Sequence, residues 1–97
     1  MGKASITNLL PGERAAHLRS SLGSEVRRRR LAAHLSQWQL SAPLSRAYIS
    51  QVESGRTLPS LPALILLAER LGTSADEILK SVNQTLSVEY PDGHEDR

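Results

Sequence analysis

Apolar residues in this chain recur mainly three and four positions apart, the spacing that gathers them on one face of a helix. The clearest stripe is Leu61, Leu64, Ile65, Leu67, Ala68 and Leu71, opened by Pro59-Ser60 and closed by Gly72. Before it, Ile49 and Val52 share a face of a segment over 46–54, with Ser45 as the N-cap and Gly55 as a left-handed C-cap. Ser36 opens a very short helix through Leu40, and Pro43 stops it because a proline inside a helix loses a hydrogen bond and clashes with the preceding turn. Upstream, Ser24 caps a helix through Ala33, and Gly23 separates it from a short helix over 13–21 that carries Ala15, Ala16 and Leu18. Ser74-Ala75-Asp76-Glu77 matches a capping box and predicts a last short helix through Lys80. Residues 1–12 show no period and read as a loose arm. Thr85 to Tyr90 alternates polar and apolar, the period of a half-buried strand, whose natural partner is the same strand of another subunit. A frayed acidic tail is the alternative for that segment. The expected fold is all-α, a compact bundle of four or five short helices around a leucine-rich core.

Length and composition narrow the field. With 97 residues the chain suits one domain with one modest core. The absence of cysteine excludes a disulfide scaffold, a zinc finger and a cysteine nucleophile. Aromatic residues are scarce and phenylalanine is absent, which argues against a sandwich or barrel. The apolar run Leu64 to Ala68 falls far short of the ~20 residues that span a bilayer, and the N-terminus shows no export signal. A cytoplasmic, nucleoid-associated protein that does not engage a membrane is expected. His17, His34 and His94 have no ligand spacing, and no phosphate-binding glycine loop or nucleophile elbow occurs. No enzymatic activity, metal, cofactor or small-molecule ligand is therefore expected. The net charge of +2 hides an uneven distribution: residues 24–58 hold six arginines against Glu25 and Glu53, whereas the last seventeen residues are acidic. A basic middle suggests a surface that faces a polyanion.

Two helices joined by a tight turn, the second basic at its start, suggest a helix-turn-helix. The run Leu22-Gly23, Val26, Arg27, Arg30, Leu35-Ser36-Gln37 and Leu40 carries a closer likeness. It resumes at Leu44-Ser45, Tyr48-Ile49-Ser50, Glu53, Gly55, Pro59-Ser60, Leu67-Ala68, Leu71-Gly72 and Ile78-Leu79. In this order and spacing the chain resembles the lambda-repressor-like (Xre/Cro-type) helix-turn-helix DNA-binding domains. One departure stands out: Ser36 and Ser45 are nine positions apart, two short of the family's usual spacing, which places a deletion at Ser41-Ala42-Pro43. The resemblance divides the chain into an arm over 1–21, a helix-turn-helix domain over 22–80 and an acidic tail over 81–97.

The resemblance implies a sequence-specific regulator, by default a repressor, that binds a palindromic operator in double-stranded DNA as a homodimer. An antitoxin, a restriction–modification controller and an interaction module that has lost DNA binding are the alternatives. The helix from Arg46 would enter the major groove, with Arg46, Ala47, Ser50 and Gln51 at base edges. Arginine can pair bidentately with guanine and glutamine with adenine, while Ala47 offers its methyl to thymine. Ser36, Gln37, Ser45, Ser54, Arg56 and Thr57 would hold the DNA backbone, and Arg30 with Glu53 would form a structural ion pair. In the run Arg27 to Arg30 one or two residues would face phosphates. Tyr48 either packs or bonds a phosphate. Trp38 covers the shortened turn, touches the DNA backbone or meets a partner.

Overall fold

The computed structural model describes residues 11–89, in which five helices follow one another: α1 (Pro11–Ala32), α2 (Gln37–Ser41), α3 (Arg46–Glu53), α4 (Leu61–Arg70) and α5 (Ala75–Glu89). Residues 1–10 and 90–97, most of the expected loose arm over 1–12 and the end of the expected acidic tail, lie outside the described residues, whereas Pro11 and Gly12 of that expected arm already belong to α1. Helix α1 packs on both α3 and α5, α2 touches α3 and α4, and α4 closes against α5. Their shared core holds Leu22, Val26, Leu40, Ile49, Val52, Leu64, Leu67, Ala68, Ile78 and Val82. Among the described residues, no helix is long and apolar enough to cross a membrane.

Four of the five helices begin in the same way. Ser36, Ser45, Ser60 and Ser74 each accept a hydrogen bond at Oγ from the backbone N–H three residues on. Each satisfies a donor that the first turn of a helix leaves without an internal partner, an arrangement that contributes ~1 kcal/mol per cap. At Ser36 the box is reciprocal, because its own N–H donates to Gln39 Oε1 at 2.8 Å. Three helices also end alike. Leu35 N–H donates to Arg30 O, Arg56 N–H to Gln51 O and Thr73 N–H to Ala68 O, each a six-to-one closure around a residue with positive φ. That residue is Gly55 (φ 79°) and Gly72 (φ 75°) in two cases and His34 (φ 59°) in the third.

Two expectations from the sequence are overturned. Gly23 does not break the chain into two helices; α1 runs through it without interruption. Leu18, Leu22 and Val26 continue one apolar edge across the glycine, and their burial outweighs the ~1 kcal/mol by which glycine disfavours a helix interior. The glycine serves tertiary packing instead. A Cβ at position 23 would lie 2.2 Å from Val52 O and 2.8 Å from Glu53 O, so the end of α3 can cross α1 this closely only where no side chain stands. Likewise, residues 85–89 are helical where their alternation predicts a strand, because α5 runs on past Lys80 to Glu89. Ile78, Val82 and Leu86 recur every fourth residue, and the long α1 supplies the surface that this edge packs on.

Candidate nucleic-acid interface

Helix α3 divides into two sides. Ile49, Val52 and Glu53 are buried, whereas Arg46, Ala47, Gln51 and Ser54 are exposed and Ser50 is half-buried. The outward residues fall at helical spacing, so all five belong to one face. This is the set expected to meet base edges, with Ser54 at its far end. Tyr48 is half-buried and packs against the core.

The inward end of α3 is held by an ion pair that joins three elements. Arg30 Nε donates to Glu53 Oε2 at 2.6 Å and Arg30 Nη2 donates to Glu53 Oε1 at 3.0 Å, a two-pronged contact between buried groups. Arg30 Nη1 donates to the carbonyl of Leu35 at 2.8 Å, which ties the turn after α1 to the same guanidinium. Gln37 Nε2 donates to Glu53 Oε1 at 3.0 Å and brings in the first residue of α2. The hydrogen bonds of Glu53 push the Arg30 guanidinium above its ordinary pKa, so it stays charged in its buried site. Glu53 thus fixes the end of α1, the start of α2 and the end of α3 at one point. The angle between the two helices of the helix-turn-helix depends on that point.

Arg19 adds a second anchor. Its Nε donates to the carbonyl of Gly55 at 3.1 Å, in the turn that follows α3. Gly55 needs to be glycine on two grounds, its left-handed φ of 79° and a Cβ that would approach Ser20 Cα at 3.2 Å. The only prior sign of Arg19 is its place one helical turn before Gly23, on the face that meets α3. Beyond this turn stand Arg56, exposed, and Thr57, half-buried, with the N–H groups of both donating to Gln51 O.

The other expected backbone contacts are mostly cap residues. Ser36 and Ser45 accept from Gln39 N–H and Tyr48 N–H, both at 3.0 Å, which leaves each hydroxyl hydrogen available. Ser54 Oγ donates to Gln51 O at 3.2 Å. The amide of Gln37 already serves Glu53, so one of its two N–H bonds is committed inside the protein.

The arginine run at the end of α1 is largely committed to the fold. Arg28 Nη2 and Arg29 Nε both reach Glu25 Oε2 at 2.6 Å, and Arg29 Nη2 donates to Ser81 Oγ at 3.1 Å on α5. Burial pushes the Glu25 carboxyl up, but the hydrogen bonds and charges of Arg28 and Arg29 together hold it below its ordinary value. Of the four arginines, Arg27 alone is exposed with no ion-pair partner among the described residues.

The shortened turn is short indeed. Helix α2 has five residues, and only 42–45 separate it from α3. Trp38 does not cover this turn from solvent, since it is 72% exposed. It stands at the rim of a shallow groove lined by Leu35, Ala42, Pro43 and Leu44. Arg70 of α4 crosses to the same region, where Nη2 donates to Gln39 O at 2.7 Å.

A family model described as a helix-turn-helix domain matches residues 21–79. Two solved structures of the clp gene regulator ClgR from Corynebacterium glutamicum are similar to this chain. One has a TM-score of 0.69 at 26% identity and covers 73% of this chain and 78% of that chain. The other has a TM-score of 0.66 at 27% identity, over 71% and 91%. No curated protein sequence matches significantly. A match that spans well over half of the residues, on a fold with two short helices at a tight turn, places the chain: it belongs to the helix-turn-helix domain family.

Proposed function

We propose that this protein is a sequence-specific DNA-binding transcriptional regulator that acts as a homodimer on a palindromic operator, by default as a repressor. The observation that carries the reading is the outer face of α3. There Arg46, Ala47 and Gln51 are exposed, while the inner face is clamped through Glu53 to α1 and α2. A helix presented in this way fits the major groove, with its N-terminal residues at base edges. The likeness to a solved regulator of clp genes supports the regulatory role. Arg46 pairs with guanine and Gln51 with adenine, while Ala47 and Ser50 add a methyl contact and a less selective hydrogen bond. Ser36, Gln37, Ser45, Ser54, Arg56 and Thr57 flank that face and hold phosphates on either side of the groove. Repression follows if the bound dimer blocks access of polymerase to the promoter.

Selection from a random duplex pool supplies the test. It should recover a palindrome with half-sites ~34 Å apart. On that duplex Arg46→Ala should lose ~1–3 kcal/mol of discrimination at one symmetric pair of bases. Arg56→Ala should weaken selected and scrambled duplex equally and lower the salt slope by ~1 per subunit. Equal losses on both duplexes for Arg46→Ala would reduce that residue to a backbone contact. Recovery of no common sequence would overturn sequence-specific recognition.

A further inference from the structure

The long helix α1 and the part of α5 beyond Lys80 meet along a polar cleft that the α3 face does not use. Ser20, Ser21, Ser24 and Arg28 follow one another along α1 at helical spacing, Thr85 lines the cleft from α5, and the buried Glu25 stands in its wall. The cleft holds about 290 Å³, at the lower limit of the ~300–1,000 Å³ typical of small-molecule sites. Ser20 and Thr85 lie outside residues 21–79, which match the helix-turn-helix domain, so the cleft is completed by this chain's extensions of both helices.

Elsewhere serine hydroxyls serve the fold: the four caps, Ser41, Ser54 and Ser81 all hydrogen-bond within the protein. Those of Ser20, Ser21, Ser24 and Thr85 bond to no protein group among the described residues. Arg28 gives Nε and Nη2 to Glu25, and its Nη1 is engaged by no described residue. Arg28 and Arg29 share the one Glu25 carboxylate, which leaves a net positive charge beside the four hydroxyls. A cation would be repelled there, and an apolar molecule would strand the hydroxyls away from water. Among the described residues no cluster of His, Asp and Glu could hold a metal ion. An oxyanion suits both features, because a guanidinium fork and hydroxyl donors match the oxygens of a phosphoryl group.

We propose that this cleft binds a small phosphate-bearing molecule and transmits its occupancy to the turn after α3. The site stands by itself, and its effect on DNA rests on the DNA-binding reading above. It departs from the expectation of no small-molecule ligand, which was drawn from motifs; these residues come from opposite ends of the domain and form no motif. The path to the turn is short. Ser20 lines the cleft, and its Cα lies 3.2 Å from the point where a Cβ on Gly55 would stand. Next to it, Arg19 Nε donates to the carbonyl of Gly55 at 3.1 Å. Arg56 and Thr57, the proposed phosphate contacts, follow Gly55 directly. A molecule that bridges Ser24 and Thr85 fixes the stretch of α1 on which Gly55 rests. It therefore holds Arg56 and Thr57 ready for DNA, and preorganisation of this kind tightens binding. Bound DNA tightens the ligand by the same factor.

The test uses the full chain, with inorganic phosphate as the probe exchanged against chloride at constant ionic strength. In amide NMR spectra of the free protein, phosphate should shift residues 20–28 and Thr85 in a saturable way. Arg28→Gln should weaken that binding at least ~10-fold, the loss expected for a hydrogen bond to a charged group. Ser24→Ala combined with Thr85→Val should do the same without lowering the melting temperature, since neither hydroxyl serves the fold. On the selected duplex the wild type should bind ~5-fold or more tightly when phosphate replaces chloride, and the double variant should show no gain. Shifts that are absent, or confined to Ser36, Gln37 and Arg56 on the DNA face, would overturn the proposal. So would DNA affinity that phosphate leaves unchanged, or that falls equally in both proteins. Failure of the DNA-binding reading has a different signature: salt-dependent duplex binding is absent while phosphate still shifts Ser24 and Thr85, which removes the coupling and keeps the site.

Discussion

Gly23→Ala sets two physical effects of opposite sign against each other. In an isolated helix the substitution stabilises by ~0.5–1 kcal/mol, because glycine loses more backbone entropy than alanine on folding. In this protein the new methyl carbon would stand 2.2 Å from Val52 O and 2.8 Å from Glu53 O. Those are backbone carbonyls in the last turn of α3, so no side-chain rotation relieves the contact and the two helices must move apart by on the order of 1 Å. Overpacking of this kind typically costs ~1–3 kcal/mol or more. The separation also pulls Glu53 away from Arg30, which donates to it at 2.6 Å and 3.0 Å. The steric effect should win, for a net loss of ~1–3 kcal/mol and a melting temperature lower by at least ~4–8 °C in a domain of this size. Thermal unfolding by circular dichroism measures this directly. Gly12→Ala, in the same helix with nothing within 4 Å of the added carbon, is the internal control and should lose no stability. A Gly23→Ala protein that melts at or above the wild-type temperature would show that the α1–α3 crossing is looser than its geometry implies.

Glu53→Ala should be the most damaging change at the interface, since it strands the buried Arg30 charge and frees the start of α2; a loss of ~3–5 kcal/mol is expected, read as a shifted urea midpoint. Acid should selectively remove the contribution of Glu25. Its folded carboxyl titrates below its unfolded value, so its stabilisation is complete above the ordinary glutamate range and is lost as pH falls through the depressed folded value. The melting-temperature gap between wild type and Glu25→Gln should accordingly close on acidification, and a gap that stays constant would mean that the Arg28 and Arg29 contacts contribute no charge-dependent stability. His34 sits at a left-handed C-cap where the other two such ends have glycine, and that conformation disfavours a side chain by ~1–2 kcal/mol. His34→Gly should raise the melting temperature by several degrees after the entropy of the unfolded glycine chain is subtracted, whereas a lower value would point to a contact made by the imidazole.

Much of the local structure is legible in the sequence alone. The four serine caps, the glycine ends at Gly55 and Gly72 and the α4 stripe each depend on residues within a few positions of one another, and backbone chemistry at that range is decided locally. The α3 face also follows from local order, since Ile49 and Val52 point inward and the residues between them must point out. What the sequence could not reveal depends on contacts between distant segments. Gly23 reads as a break until α3 is seen to cross it, and α5 reads as a short helix followed by a strand until α1 provides a surface for Leu86. Of the four consecutive arginines one or two are expected to face phosphates and Arg30 to pair with Glu53, yet Glu25 and Ser81 claim Arg28 and Arg29 as well, through contacts that only the folded α1 and its packing on α5 create. Propensity and charge set what each segment can do alone at ~1 kcal/mol or less per residue, and tertiary contacts of several kcal/mol then decide which of those options is realised.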